Sequence, residues 1–373
     1  MFSENGKISE KQLGRMIMLP VFVSIILVLP YGSAKLFGNS IVPGLLLFLA
    51  LAACYVLYIF KMGQWYAKYS CSTGEQGFVG TLVEGGLVGK FLMVLQVVRL
   101  ILRLVFYIML TIAILFEARV PFIRFPGVDI SGNLFVVLPL LLVALYGTRY
   151  SVEKQGRMHE MLFWFILIPF AMVLIFGLKE VNFDVFFPRQ DMSLGKLLMY
   201  GYVLLVLVLP MEQFLYLRPS LGIHEGKKRI WVCVIGAIFL GVLMTFFALG
   251  IYGVNGAAKN PMTPTTIMSY ISLPFGILER FDVIILPFFI IGCFLLICET
   301  LYFAKYIIDC LREKKTSLWA LVFLLLPVLL IVAVVGTYEN ALMTYGCYAA
   351  IIDIPLSLIL PVLGMGIATL YER

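Results

Sequence analysis

The sequence predicts an all-α integral membrane protein, with ten transmembrane helices arranged as two repeats of five helices that have opposite orientations in the membrane. Three observations support this fold class. The 373 residues are 62% hydrophobic and only 13% charged, a composition typical of polytopic membrane proteins and not of soluble domains. The apolar residues form ten separate runs. The Lys and Arg residues between these runs are distributed asymmetrically.

A helix needs roughly 20 apolar residues to cross a bilayer, and each apolar run is predicted to form one span. The first run is too long for a signal-peptide core and is expected to be retained as a span. We predict a single polytopic domain over residues 1–373, with a first repeat over 13–178 and a second over 197–370. The predicted spans are Leu13–Leu36, Ile41–Phe60, Phe91–Phe116, Leu134–Tyr146, Met161–Leu178, Leu197–Leu217, Ile230–Val254, Val283–Ile308, Leu318–Gly336 and Cys347–Leu370.

The basic residues predict the orientation of the chain. If the N-terminus is cytoplasmic, 18 of the 28 Lys and Arg residues lie in cytoplasmic segments and 8 lie in outer segments. Arg99 and Arg103 lie within span three. Because cytoplasmic segments of membrane proteins are enriched in Lys and Arg, both termini are expected to be cytoplasmic. The basic residues form no stripe interleaved with aromatic residues, so a nucleic-acid partner is not expected.

Spans one and six are predicted to be broken helices. They occupy matching places in the two repeats, and they contain Pro30 and Pro210. Proline removes a backbone donor and clashes with the preceding turn, and paired interrupted helices are a feature of transporter sites near the bilayer midplane. The position in span one that matches Pro210 lies near Val23 and Ser24, and the break is expected at Ser24 and Ile25. The alternative is that both prolines form ordinary kinks, which membrane helices tolerate.

Charged residues within the spans are the candidates for function. Glu212 follows Pro210 closely and should face protein or water, where it would hold a ligand amine, carry a proton or form a structural pair. Arg99 and Arg103 are four residues apart and share one helix face. They could bind a ligand carboxylate, or Arg103 could form a gate with Glu212 or Glu299. The alternatives are a structural ion pair, or an Arg99 side chain that reaches the inner interface.

Other polar residues complete this set. Tyr107 and Thr111 continue the Arg103 face of span three. Glu299 lies near the inner end of span eight, and Asp353 lies in the outer part of span ten. Interfacial pairing and proton coupling are the two alternatives for each of these carboxylates. The seven cysteines have no metal-site spacing, and His159 and His224 lie at predicted helix ends near basic residues. No metal or other cofactor is therefore expected, and no nucleophile–base pair indicates an enzyme.

Four segments resemble a known family. They are ISEKQLGRMIMLPVFVSIILVLP at the start, YGTRYSVEKQGRMHEMLFWFILIPF before and within span five, PMEQFLYLRPSL in span six, and ERFDVIILPFFIIGCF at the start of span eight. Together they resemble the B subunit of bacterial spore germinant receptors, a branch of the amino acid–polyamine–organocation superfamily. The chain departs from the family pattern at Val23 and Pro210, where glycine is usual, and at Phe289, where tryptophan is usual.

The resemblance implies a LeuT-like fold and a small-molecule site between helices one, three, six and eight. It also implies assembly with A-type and C-type receptor subunits in the inner membrane of the spore, and a germinant such as an amino acid. The alternative function is a proton-coupled amino acid permease that uses Glu212 or Glu299. The residues expected to bind the ligand are Ser24, Ile25, Tyr107, Thr111, Leu209, Pro210, Met211, Glu212 and Gly292.

Overall fold

The computed structural model describes residues 8–68, 77–122, 130–187, 192–217, 228–268, 282–335 and 338–371. Its α-helices are α1 (Glu10–Phe37), α2 (Ile41–Lys68), α3 (Phe78–Glu84), α4 (Gly86–Phe122), α5 (Ile130–Gly147), α6 (Val152–Gly177), α7 (Leu194–Leu204), α8 (Gln213–Leu217), α9 (Lys228–Tyr252), α10 (Val254–Ala257), α11 (Thr263–Met268), α12 (Asp282–Arg312), α13 (Leu318–Val335), α14 (Tyr338–Tyr348) and α15 (Ile354–Tyr371). Short 3-10 helices cover Gly38–Ser40, Leu178–Glu180, Phe183–Phe186 and Leu205–Glu212, and a π-helical turn covers Ala349–Asp353.

The apolar helices confirm a multi-pass membrane protein. Within the described residues, seven helical stretches are long and apolar enough to cross a membrane, and one of them, Glu10–Tyr66, contains α1 and most of α2. The count of ten spans, the cytoplasmic termini and the two repeats remain predictions.

Helix α1 lies at the centre of the molecule. Its N-terminus is fixed by a capping box, in which the Ser9 hydroxyl accepts from the Gln12 amide N–H and the Gln12 side chain accepts from the Ser9 N–H. This arrangement satisfies backbone donors that a helix end leaves free. The helix is buried on all sides from Met16 to Pro30 and packs against α9, α6, α12 and the Leu205–Glu212 segment. A helix that is apolar all round is expected in such a buried position.

The predicted break in helix one is wrong. Ser24 and Ile25 lie within α1, which is a continuous α-helix despite Pro20 and Pro30. The stretch from Val23 to Ile25 contains no glycine, so nothing in it favours the unusual backbone angles of an unwound segment. The Val23 side chain also packs tightly against Gly292 of α12, where an added Cβ would lie 2.9 Å from the Val23 methyl groups. This close helix contact holds α1 in regular geometry.

The predicted interruption of helix six is confirmed. The chain leaves α-helical geometry at the end of α7, continues as a 3-10 helix from Leu205 to Glu212, and resumes as α8. Pro210 explains the change, because its ring would clash with the carbonyl four residues before it in an α-helix. The interruption is therefore a tightened helix and not an extended gap. It brings Glu212 to the junction with α8.

A second irregular segment, in helix ten (α14, the π-helical turn and α15, Tyr338–Tyr371), was missed in the sequence. Between α14 and α15 the backbone forms the π-helical turn Ala349–Asp353. Pro355 follows two residues later and would clash with the carbonyl of Ile351 in a regular α-helix, which explains why the turn widens. Such turns leave backbone carbonyls available to side chains. Here the Ala350 carbonyl accepts a hydrogen bond from the Tyr202 hydroxyl of α7, at 2.9 Å.

Candidate functional site

Two arginines of α4 form the base of a buried charge cluster. Arg99 and Arg103 are only 1% and 4% exposed. Their spacing of four residues places both guanidinium groups on the face of α4 that meets helices six and ten. Burial of two like charges on one face is very costly unless each charge is paired. The alternative in which the Arg99 side chain reaches the inner interface is therefore wrong, and Arg99 is held in buried ion pairs.

The two irregular helical segments each supply one carboxylate to this cluster. Glu212, at the end of the 3-10 helix, accepts from Arg99 at 2.8 Å and from Arg103 at 3.0 Å. Asp353, at the end of the π-helical turn, accepts from Arg99 Nε at 2.7 Å and from Arg103 Nε at 2.8 Å. We call these four residues the charge cluster. With two positive and two negative side chains, the charge cluster has no net charge.

Neutral side chains and a backbone carbonyl complete the hydrogen bonding of the charge cluster. Gln96 accepts from Arg99 at 3.0 Å, and the Asp353 carbonyl accepts from the same guanidinium at 2.9 Å. The Tyr345 hydroxyl donates to the Asp353 carboxylate at 3.2 Å. Buried ion pairs need such additional hydrogen bonds to offset desolvation. The predicted interfacial pairing of Asp353 is wrong, because this carboxylate is fully buried and bonded to both arginines.

A cavity about the size of one water molecule adjoins the charge cluster. Four of the residues singled out in the sequence line it, namely Arg103, Tyr107, Pro210 and Glu212. Helices α4, α8 and α12 supply further lining residues that were not singled out in the sequence. These additional lining residues are Leu100, Gln213, Tyr216, Leu296, Thr300 and Phe303.

Gln213 gives this cavity an available acceptor. Its Nε2 donates to Glu299 at 2.7 Å, whereas its Oε1 is buried with no hydrogen-bond partner among the described residues. A buried acceptor without a partner is costly. A donor that enters the cavity, from water or from a ligand, would satisfy it.

Other predicted site residues do not line this cavity. The Ile25 side chain packs against Gly241 of α9, and Gly292 is filled by Val23, so both serve helix packing. Ser24 is buried in α1. The Thr111 hydroxyl donates to the Tyr107 carbonyl of its own helix at 2.7 Å. Leu209 and Met211 lie buried in the 3-10 segment, outside the lining of the cavity.

Glu299 belongs to a different group from the one expected. The structure pairs Arg103 with Glu212 and Asp353, so the alternative gate between Arg103 and Glu299 is not formed. Instead, Glu299 Oε1 of α12 contacts His159 Nε2 of α6, and Glu299 Oε2 accepts from Gln213. His159 Nδ1 lies 2.8 Å from the Gln155 carbonyl. The ring is fully buried, although the sequence placed it at a helix end.

The two polar groups meet at adjacent residues of helix six. Glu212 bonds to the arginines of α4, and Gln213 bonds to Glu299 of α12. Neither His159 nor Gln213 carries a sequence signal of its own, since the contacts join segments far apart in the chain. In the part of the chain that the structure describes, no group of three or more His, Cys, Asp or Glu side chains could hold a metal ion.

Comparisons with solved structures support the fold. The chain is similar to the manganese transporter of Eremococcus coleocola in complex with an aromatic bis-isothiourea compound, with 12% identity, a TM-score of 0.58, and coverage of 94% of this chain and 79% of the other. A glutamate-to-glutamine mutant of that transporter gives 12% identity, a TM-score of 0.52, and coverage of 95% and 77%. A histidine-to-alanine mutant of the same transporter gives 11% identity, a TM-score of 0.51, and coverage of 95% of this chain and 77% of the other. At this identity the likeness shows a shared transporter fold alone.

Comparison with sequence families gives a more specific result. No protein with a curated description matches the chain. The model of the spore germination protein family matches residues 86–341, which is more than half of the chain and includes Arg99, Arg103, Glu212 and Glu299. The chain therefore belongs to the spore germination protein family.

Proposed function

We propose that this protein is the membrane subunit of a spore nutrient-germinant receptor, which binds a small germinant beside the charge cluster and signals germination. Its partners would be A-type and C-type receptor subunits, and its location the inner membrane of the spore. The observation that carries the proposal is a neutral, buried charge cluster at the helix-six interruption, next to a polar cavity, in a member of a germination family.

The charge cluster favours an amino acid as the germinant. A zwitterion has one carboxylate and one ammonium group, so it can take the place of an internal ion pair without adding net charge to the buried site. Arg103 would bind the carboxylate, and Glu212 would bind the ammonium, since both side chains line the cavity. The Gln213 Oε1 atom would accept a further hydrogen bond from the ammonium. Binding would therefore require that contacts within the charge cluster open.

This exchange supplies a signalling step. The cavity holds about one water molecule in the present conformation, so a germinant must favour a more open one. A ligand shifts a conformational equilibrium only by its difference in affinity for the two states. Because Glu212 and Asp353 lie at the ends of the two irregular helical segments, opening of the charge cluster would move helices six and ten. Partner subunits could detect that movement.

The test is thermal stabilisation of the purified protein by a panel of amino acids, nucleosides and sugars. A ligand that binds the folded state raises its apparent stability. We expect an amino acid to stabilise the wild-type protein and to lose most of this effect in Glu212→Gln. Glu153→Gln is the matched control, because Glu153 pairs with Arg157 on α6, outside the charge cluster and its cavity. A germinant whose stabilisation survives Glu212→Gln would place the binding site elsewhere.

The second candidate function is a proton-coupled amino acid permease. The buried contact of His159 with Glu299 favours it, because ionisable residues within a membrane protein often form proton pathways. Glu212 is held by two arginines, so Glu299 is the better candidate for the proton carrier. Amino acid accumulation in proteoliposomes that follows a pH gradient and is lost in Glu299→Gln would favour the permease. Ligand binding without accumulation would favour the receptor.

A further inference from the structure

A lateral groove lies between α1, helix six and helix ten, away from the cavity at the charge cluster. It is lined by residues between Val28 and Leu36 of α1, between Met199 and Leu207 of helix six, and between Leu342 and Ile351 of helix ten. Its volume is about 360 Å³, within the range of pockets that bind small molecules. Lys35 is the one charged residue among the described residues that line it.

The lateral groove opens toward the lipid. Met199, Met343 and Ile351 line it and are 63%, 55% and 75% exposed, and all three belong to membrane-spanning stretches. Large apolar side chains exposed at this depth contact hydrocarbon chains. The apolar lining continues from these residues into the groove, so an acyl chain can enter without crossing a polar barrier.

The length of the lateral groove matches one leaflet of a bilayer. From Val28 to Leu36 the groove follows α1 for about 12 Å, at 1.5 Å per residue. The hydrocarbon of one leaflet is roughly 15 Å thick, half of the whole core. Lys35 lies in the last turn of α1, at the end of the groove nearest the membrane surface. Its ammonium is 2.9 Å from Glu339, and this pair is partly exposed.

We propose that the lateral groove binds one acyl chain of an anionic membrane phospholipid, whose phosphate lies at the Lys35 ammonium. The Lys35 ammonium has three N–H donors, of which one bonds to Glu339 and one to the Tyr31 hydroxyl, so the third can donate to the phosphate. Lysine side chains commonly reach from apolar surfaces to lipid headgroups. The methyl end of the acyl chain lies at the opposite end of the groove, beside Val206, Leu207, Ala350 and Ile351.

This position links the lipid to the charge cluster. Val206 and Leu207 belong to the 3-10 segment that ends at Glu212, and Ala350 and Ile351 belong to the turn that ends at Asp353. The bound acyl chain packs against the lipid-facing side of both irregular segments. It therefore stabilises the arrangement in which their carboxylates bond to the arginines. A lipid that binds this arrangement preferentially is coupled to ligand binding at the charge cluster.

Photo-crosslinking tests the proposal directly. The full-length protein in nanodiscs receives a phosphatidylglycerol that carries a diazirine near one chain terminus, and crosslinked peptides are mapped by mass spectrometry. We expect crosslinks concentrated in peptides of helix six and helix ten that contain the inner end of the groove. Crosslinks spread evenly over the lipid-facing helices would overturn the proposal.

Two glycine variants provide the matched comparison. Gly346 lines the groove and Gly236 lies on α9, and an added Cβ meets nothing within 4 Å at either position. Both are partly buried helical residues. We expect Gly346→Leu to fill the groove and lower the crosslink yield several-fold, and Gly236→Leu to leave it unchanged. Equal yields in the two variants would overturn the proposal.

A native thiol distinguishes lipid from a partner helix. Cys347 lines the lateral groove, whereas Cys54 is exposed on α2 outside it. Added phosphatidylglycerol should slow alkylation of Cys347 by an apolar maleimide several-fold in detergent, with no change at Cys54. Protection of Cys347 by co-expressed receptor subunits and not by phospholipid would show that a protein helix occupies the groove, and the lipid proposal would be wrong.

Discussion

Replacement of Asp353 by Asn tests whether the charge cluster acts as one neutral unit. The carboxylate accepts hydrogen bonds from both arginines and from Tyr345. Asn has a single acceptor oxygen and no charge, and its amide group brings donors next to two guanidinium groups. The substitution therefore leaves one uncompensated positive charge in a fully buried site.

The expected loss of stability is large. Removal of one partner from a buried ion pair costs about 3–5 kcal/mol. For a protein of this size we take a shift of about 2 °C per kcal/mol, so the melting temperature should fall by roughly 6–10 °C. Asp184→Asn is the control, because Asp184 is exposed. Its effect should lie within about 0.5 kcal/mol.

A double-mutant cycle in detergent gives the decisive measurement. Arg103→Gln should destabilise the protein by a similar amount, because it leaves one negative charge in excess. The combination of Arg103→Gln with Asp353→Asn restores neutrality, so its cost should be smaller than the sum by about 0.5–3 kcal/mol. The melting temperatures of all three variants are measured by heating each protein in detergent and recording the loss of its monodisperse species. A single-variant loss below 1 kcal/mol, or additive costs in the double variant, would refute the view of the cluster as one unit.

Two further predictions concern packing and surface charge. Gly63→Ala places a Cβ 2.3 Å from the ring of Phe214, so it should lower the stability of the protein by about 1–3 kcal/mol. Gly236→Ala has free space around the added Cβ and should be neutral or stabilising by up to about 1 kcal/mol. Equal melting temperatures of the two variants would contradict this contrast. Lys35→Met breaks the partly exposed pair with Glu339 and should cost less than about 1 kcal/mol. A larger loss in detergent without phospholipid, measured by thermal unfolding, would show that this pair fastens helix one to helix ten.

The two irregular helical segments have the same structural role, because each positions one carboxylate of the charge cluster. An α-helix places successive side chains at fixed angles around its axis, so a carboxylate can reach the arginines only if its position lies on the helix face that meets α4. The 3-10 segment and the π-helical turn change that register by tightening and widening the helix. Each change ends at the residue that bonds to the arginines, Glu212 or Asp353. The prolines at 210 and 355 thus position charge as well as shape backbone.

The difference between the two predicted breaks has a simple cause. Helix six has Pro210 in the middle of its span, where the loss of the backbone donor acts on an otherwise regular stretch. Helix one has Pro20 and Pro30 on either side of the expected position, and both fit within a continuous helix. The residues between them pack tightly, including Val23 against Gly292. Tertiary packing therefore decided whether a proline-containing helix stayed regular.

The sequence by itself determined the membrane class, the family resemblance and the residues of the charge cluster on α4 and helix six. These follow from local properties, namely the length of apolar runs, the cost of a charge in hydrocarbon and the effect of proline on a helix. The pairing of Arg103 with Glu212 was one of several alternatives, beside a gate with Glu299 and the binding of a ligand carboxylate. Only the tertiary structure brought Asp353 to the arginines, across some 250 residues of chain. It also joined His159 to Glu299. Contacts of this kind depend on how helices cross in three dimensions, which no local pattern in one sequence encodes.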